Sequence, residues 1–70
     1  MPKYYYNNSV DDKHRHEVHT EHCQFLPNPF NRTLIGFEFS CAAAIQRAAR
    51  EHPTMAFDGC YWCCRDCHKG

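Results

Sequence analysis

Aliphatic side chains are scarce in this chain: two Leu, two Ile and two Val stand among 70 residues. Even with the five Phe they make up under a fifth of the sequence, a fraction that signals disorder when it comes with high net charge. Here eight Lys plus Arg balance eight Asp plus Glu, so the formal charge is zero and disorder is not implied. The length allows one domain, residues 1–70, and at that size a hydrophobic core alone supplies only ~3–5 kcal/mol. Long apolar runs are also missing. The longest helix-like apolar cluster, Cys41 to Ile45, falls far short of the ~18 residues that a membrane span needs. Met1-Pro2-Lys3-Tyr4 does not open an apolar leader with a small-residue cleavage site, so no signal peptide is read and a cytoplasmic protein is expected. A basic surplus is absent, which removes the main signature of a dedicated nucleic-acid binder. There is no internal repeat and no low-complexity linker.

The chain is rich instead in six Cys and six His. In a reducing compartment, clustered cysteines read as metal-binding or redox-active before they read as disulfides. Four of them lie in the tail, where Cys60 and Cys63 form one C-x-x-C and Cys64 and Cys67 another. That spacing lets two thiolates of a tight turn reach one tetrahedral ion at ~2.3 Å, which is half of a structural zinc site. All four fall on one face of a continuous helix, and a straight helix cannot wrap its own face around an ion. A second half must therefore come from upstream. His19-x3-Cys23 offers it, one nitrogen and one sulfur across a turn, and joining it to a tail pair gives a Cys3His set, common among structural zinc sites. His16 and His22 compete with His19. Cys41 reads as a small hydrophobe on the inner side of a helix.

Local signals give an α+β reading. Lys3 to Tyr6 reads as a strand ended by the turn residues Asn7-Asn8-Ser9, and Asp11 to Arg15 as an exposed loop. His16 to His19 is a second strand candidate. Pro27-Asn28-Pro29 forces an extended or turned loop. A third strand runs from about Arg32 to Phe39, with Ile35, Phe37 and Phe39 expected to face the core. Ser40 is an apt N-cap for a helix over Cys41 to Glu51, whose Cys41, Ala44, Ile45, Ala48 and Ala49 form a narrow apolar stripe before Pro53. The expected fold is a small zinc-stabilised domain of two or three short antiparallel strands, one amphipathic helix and a C-terminal Cys-rich knuckle or short helix.

His19-x3-Cys23, then Asn31-Arg32-Thr33-Leu34, the alanine-rich helix Ala42 to Ala49, Gly59 and a closing Cys64-x2-Cys67 resemble the zinc-binding domain of the Ada-type DNA-repair proteins and its small bacterial relatives. The His-Glu-Val-His run and Asp-Gly-Cys-x-x-Cys-Cys-x-x-Cys-His also resemble a group of short bacterial proteins. The resemblance covers roughly residues 16 to 68. It implies a zinc held by His19, Cys23, Cys64 and Cys67, which leaves Cys60 and Cys63 to replace His19, to bind a second ion or to form a disulfide on oxidation. In Ada-type domains a zinc-bound cysteine accepts a methyl group from DNA phosphate. The matching position here is His19, which cannot act as a thiolate nucleophile, so the repair activity does not carry over.

The expected function is a non-enzymatic structural zinc-binding module that serves in binding or assembly. The alternative is a thiol redox sensor or metal-buffering protein that uses the C-terminal cysteine cluster. Its expected partner is a macromolecule whose kind the sequence does not name; charge gives nucleic acid no support, a membrane is not expected, and the chain is expected to be a monomer. The aromatic runs Tyr4-Tyr5-Tyr6 and Tyr61-Trp62 are read as core before they are read as base-stacking platforms.

Overall fold

Tyrosines do much of the work that aliphatic residues do elsewhere. In the computed structural model, which describes all residues from Met1 to Gly70, Tyr4 and Tyr6 are buried with Val18, Ile35, Ala44, Ala48, Cys60 and Cys64 in a single core. Tyr6 meets Phe57 edge to face, with ring centroids 5.2 Å apart, and meets His16 and His52 in the same manner. This arrangement suits the aromatic quadrupole.

The strands are β1 (Lys3–Val10), β2 (His16–Thr20), β3 (Arg32–Phe37) and β4 (Phe57–Gly59), and the one α-helix is α1 (Cys41–Glu51). The sheet order is β3-β1-β2-β4. β1 is antiparallel to both of its neighbours, whereas β2 and β4 run parallel. The fold is therefore a small α+β domain with a four-stranded mixed sheet, in which β4 and its parallel pairing are additions to the expected strands. The Cys-rich tail is a knuckle, a turn followed by a short 3-10 helix at Arg65–Cys67. No helix is long and apolar enough to cross a membrane.

Two expectations fail at β-bulges. Asn7, Asn8 and Ser9 continue β1 instead of ending it. Their polar side chains find partners across the sheet: Asn31 Nδ2 donates to Asn7 Oδ1 (3.2 Å) and to Ser9 Oγ (3.1 Å), so turn-type residues are held extended. In β3, Tyr4 pairs with Gly36 but Tyr5 pairs with Leu34, which leaves Ile35 as the extra residue of a bulge. A slip of one residue exchanges the two faces of a strand. Ile35 is buried, while Phe37 and Phe39 are exposed, contrary to the expected core set. Gly36 adopts φ 134°, open to glycine alone, and a Cβ there would collide with the Arg47 guanidinium, which is ion-paired to Glu38 at 3.0 Å.

The helix follows its sequence signals. Ser40 Oγ accepts the Ala43 N–H at 3.1 Å, and Ala44 and Ala48 are buried, although Ala49 is exposed. Cys41 departs from its expected role as a core thiol, because it forms a disulfide with Cys67 (S–S 2.02 Å) that ties the start of α1 to the tail. The tail can fold over β4 because residue 59 is glycine. A Cβ on Gly59 would lie 2.5 Å from the Cys64 carbonyl oxygen and 2.7 Å from Cys67 Cβ. Gly59→Ala is therefore expected to cost about 1–3 kcal/mol of overpacking. Urea titration should show a lower midpoint with the slope unchanged; an unaltered midpoint would mean that the tail does not pack on β4 in this way.

Candidate metal centre

Side chains alternate along a strand, so Val18 and His19 leave β2 on opposite faces. Val18 enters the core under α1. His19 is only 1% exposed, yet neither Nδ1 nor Nε2 has a hydrogen-bond partner. Glu17 Oε1, the nearest carboxylate to it, stands 3.5 Å from Nε2 without hydrogen-bond geometry. Burial pushes the His19 pKa below its ordinary value, so the ring is neutral and its lone pair is free.

Three thiols surround that ring. The parallel register sets Val18 beside Gly59, and the Cys60 N–H donates to the Val18 carbonyl at 2.9 Å, so Cys60 follows Gly59 into the position next to His19. The chain then turns, with the Cys64 N–H donating to the Cys60 carbonyl at 2.9 Å, and Cys63 comes back toward β2. Cys23 arrives from the turn after β2, where its N–H donates to the Thr20 carbonyl at 3.2 Å. The ligand atoms of His19, Cys23, Cys60 and Cys63 all lie within 4.8 Å of one another. The Cys23 and Cys60 sulfurs are 3.9 Å apart. Two sulfurs bound at ~2.3 Å to one tetrahedral ion would be about 3.8 Å apart.

Each of the three sulfurs accepts a backbone N–H: Cys23 from Phe25 (3.4 Å), Cys60 from Trp62 (3.4 Å) and Cys63 from Thr20 (3.3 Å). Such donors lower the cost of thiolate charge in a buried place. Burial raises the pKa of Cys23 and Cys60, and the N–H of Phe25 on Cys23, and those of Cys63 and Trp62 on Cys60, oppose it. The two halves match, because in each the N–H comes from the residue two places after the cysteine and that residue is aromatic. Phe25 and Trp62 stack on each other with centroids 5.7 Å apart and an interplanar angle of 22°.

The cluster thus contains His19, Cys23, Cys60 and Cys63 and excludes Cys64 and Cys67. Cys67 is held in the disulfide with Cys41. Cys64 is buried in the core as a free thiol. Burial, reinforced by the neighbouring Cys63 sulfur, pushes its pKa far above the thiol range. The first C-x-x-C is selected because β4 ends at Gly59, directly before Cys60. The i+2 aromatic in both halves was the available sequence signal for that pair; the parallel β2–β4 register had none. Among the other histidines, His22 projects into solvent, His16 Nδ1 lies 2.8 Å from the Asn7 carbonyl oxygen and His68 Nδ1 2.9 Å from that of Gly59. The buried Asp58 carboxylate accepts the Lys69 N–H at 2.7 Å, with Arg15 and His68 nitrogens each at 3.5 Å, and so fastens the tail beyond the cluster.

Comparison with protein-family models, with curated proteins and with solved structures yields no match.

The pKa shifts predict a two-sided pH dependence for the metal-free chain. His19 has a folded pKa below its ordinary 6.5, so the unfolded chain takes up the proton first and stability falls as pH drops below that value. Cys64, Cys60 and Cys23 have folded pKa values above the ordinary 9.0, so the unfolded chain loses its protons first and stability falls as pH rises past that value. Thermal melts of the metal-free protein should show a maximum between these limits. In His19→Phe the acid-side loss should shrink; acid sensitivity equal to that of the wild type would remove His19 as its source.

Proposed function

We propose that the chain is a non-enzymatic module folded around one structural zinc ion, with His19, Cys23, Cys60 and Cys63 as the ligands. One observation carries this reading: a buried neutral imidazole with both nitrogens unpartnered stands among three sulfurs, each supplied with a backbone N–H. A buried polar group without a partner costs about 1–3 kcal/mol, and coordination removes that cost. Three sulfurs and one nitrogen form a closed tetrahedral donor set, the structural kind, with no position left for water or substrate. When bound, the ion supplies crosslinking and charge neutralisation. Coordination through Nδ1 would leave Nε2–H facing Glu17, as ligand histidines are usually oriented by a carboxylate.

The role in binding or assembly is supported by the surface around the cluster. Phe25 and Trp62, stacked on each other, are 51% and 66% exposed and form one apolar patch beside the cluster.

The protein purified with zinc should contain one equivalent per chain and should lose most of its thermal stability when EDTA removes it, since structural zinc contributes on the order of 10–16 kcal/mol in small domains. Cys60→Ser and Cys63→Ser should weaken zinc binding by more than roughly 100-fold, Glu17→Ala by about 10–100-fold, and Cys64→Ser should leave the stoichiometry intact. A Cys64→Ser protein without zinc, alongside a Cys60→Ser protein that keeps it, would reverse the ligand assignment.

A further inference from the structure

Three of the six sulfurs stand outside the metal cluster, and two of them, Cys41 and Cys67, are joined to each other and belong to partly exposed residues. An open cleft of about 570 Å³ lies between α1 and the tail. Ala42, Ala43 and Ile45 give it an apolar wall, Asp66 and Lys69 a charged rim, and Cys67 is part of its lining whereas Cys41 is not. Cys41 is instead the first residue of α1, where the Ser40 hydroxyl occupies only the Ala43 N–H. The other N–H groups of a helix's first turn have no partner within the helix, and together with the helix dipole they stabilise a thiolate there. The two ends of this bond are thus unequal: Cys67 lines a cleft, and Cys41 sits where a departing thiolate is stabilised.

We infer that Cys41–Cys67 is an exchangeable disulfide that oxidises a cysteine-bearing peptide or protein dithiol seated in the α1–tail cleft. A substrate thiolate attacks the Cys67 sulfur; the Cys41–Cys67 bond breaks and its electron pair leaves on Cys41 as the thiolate. The second substrate thiol, once deprotonated, attacks the substrate sulfur of the mixed disulfide, and Cys67 departs as a thiolate. Two electrons and two protons pass from the substrate dithiol to Cys41 and Cys67, and the substrate leaves as a disulfide. The cluster thiols are not consumed, and Cys64, the remaining free thiol, is buried away from the cleft wall. The exchange is stoichiometric, one dithiol per oxidised chain, so the module stays non-enzymatic, and it does not depend on the structural zinc proposed above.

The test uses the full chain, with its zinc content recorded before and after. The oxidised protein is equilibrated with about 10 mM reduced and 0.1 mM oxidised glutathione, a buffer in which structural disulfides stay more than about 90% oxidised. Acid quenching, alkylation and peptide mass spectrometry then read each cysteine. At least half of the Cys41–Cys67 bond should be reduced, with the zinc content unchanged, and at early times glutathione should be found on Cys67 with Cys41 alkylated. A disulfide that stays more than 90% oxidised, or glutathione found on Cys41 instead, would overturn the inference. If the protein binds no zinc, the structural reading fails while the exchange result still stands. Cys64→Ala should exchange as the wild type does; loss of exchange in that variant with its fold intact would place the reactive thiol at Cys64 and also overturn the assignment.

Discussion

Burying a histidine ring without hydrogen bonds sets the terms for this small domain. His19 sits on a central strand, and its two nitrogens lack partners among all the residues around them. In a core built from two tyrosines, one valine, one isoleucine and small residues, that deficit is comparable to what a single large side chain contributes. The sulfurs of Cys23, Cys60 and Cys63 stand where an ion would relieve it. The arrangement also explains why β4, only three residues long, is parallel to β2. The pairing is too short to be stable alone, but it carries Cys60 to the side of His19 and brings the knuckle with it.

The two kinds of sulfur site divide the work of holding the tail. Cys60 and Cys63 bring it to His19 on β2. Cys67, joined to Cys41, fixes it to the start of α1 across a separation of 26 residues. A loop of that size gives roughly 3–4 kcal/mol in the chain-entropy account of disulfides, several-fold less than a structural zinc ion gives in small domains. In the proposed reading the metal supplies most of the stability, and the disulfide can open without unfolding the domain. Cys64, between the two sites, is left as a buried thiol that extends the core.

Much of the scaffold was legible in the sequence. The helix from Cys41 to Glu51 followed from the Ser40 cap and the alanine stripe, and both features are in place. His16 to Thr20 and the start of β1 were visible as short strands. The need for a metal-type crosslink followed from the shortage of aliphatic residues beside the surplus of Cys and His, and His19 and Cys23 were identified as one half of a cluster from their spacing. What could not be read was long-range register. The choice between Cys60–Cys63 and Cys64–Cys67 depends on where β4 stops, and β4 has almost no signal of its own because only Phe57 in it is apolar. Phe37 and Phe39 were misplaced because the bulge at Ile35 and Gly36 exchanges the faces of β3, and alternation alone does not show a bulge. Cys41 looked like core because its i, i+3, i+4 neighbours are apolar, and nothing local shows that the tail returns to it.

In the proposed centre one ion is held by one imidazole and by three thiolates drawn from two turns. X-ray absorption at the zinc edge of the loaded protein tests it most directly, because scattering distinguishes sulfur from nitrogen and reports the distances. Three sulfurs at ~2.3 Å and one nitrogen at about 2.0–2.1 Å are expected, with the nitrogen contribution lost in His19→Cys. A shell of four sulfurs in the wild-type protein would contradict it, since that would require Cys64 or Cys67 to take the place of His19.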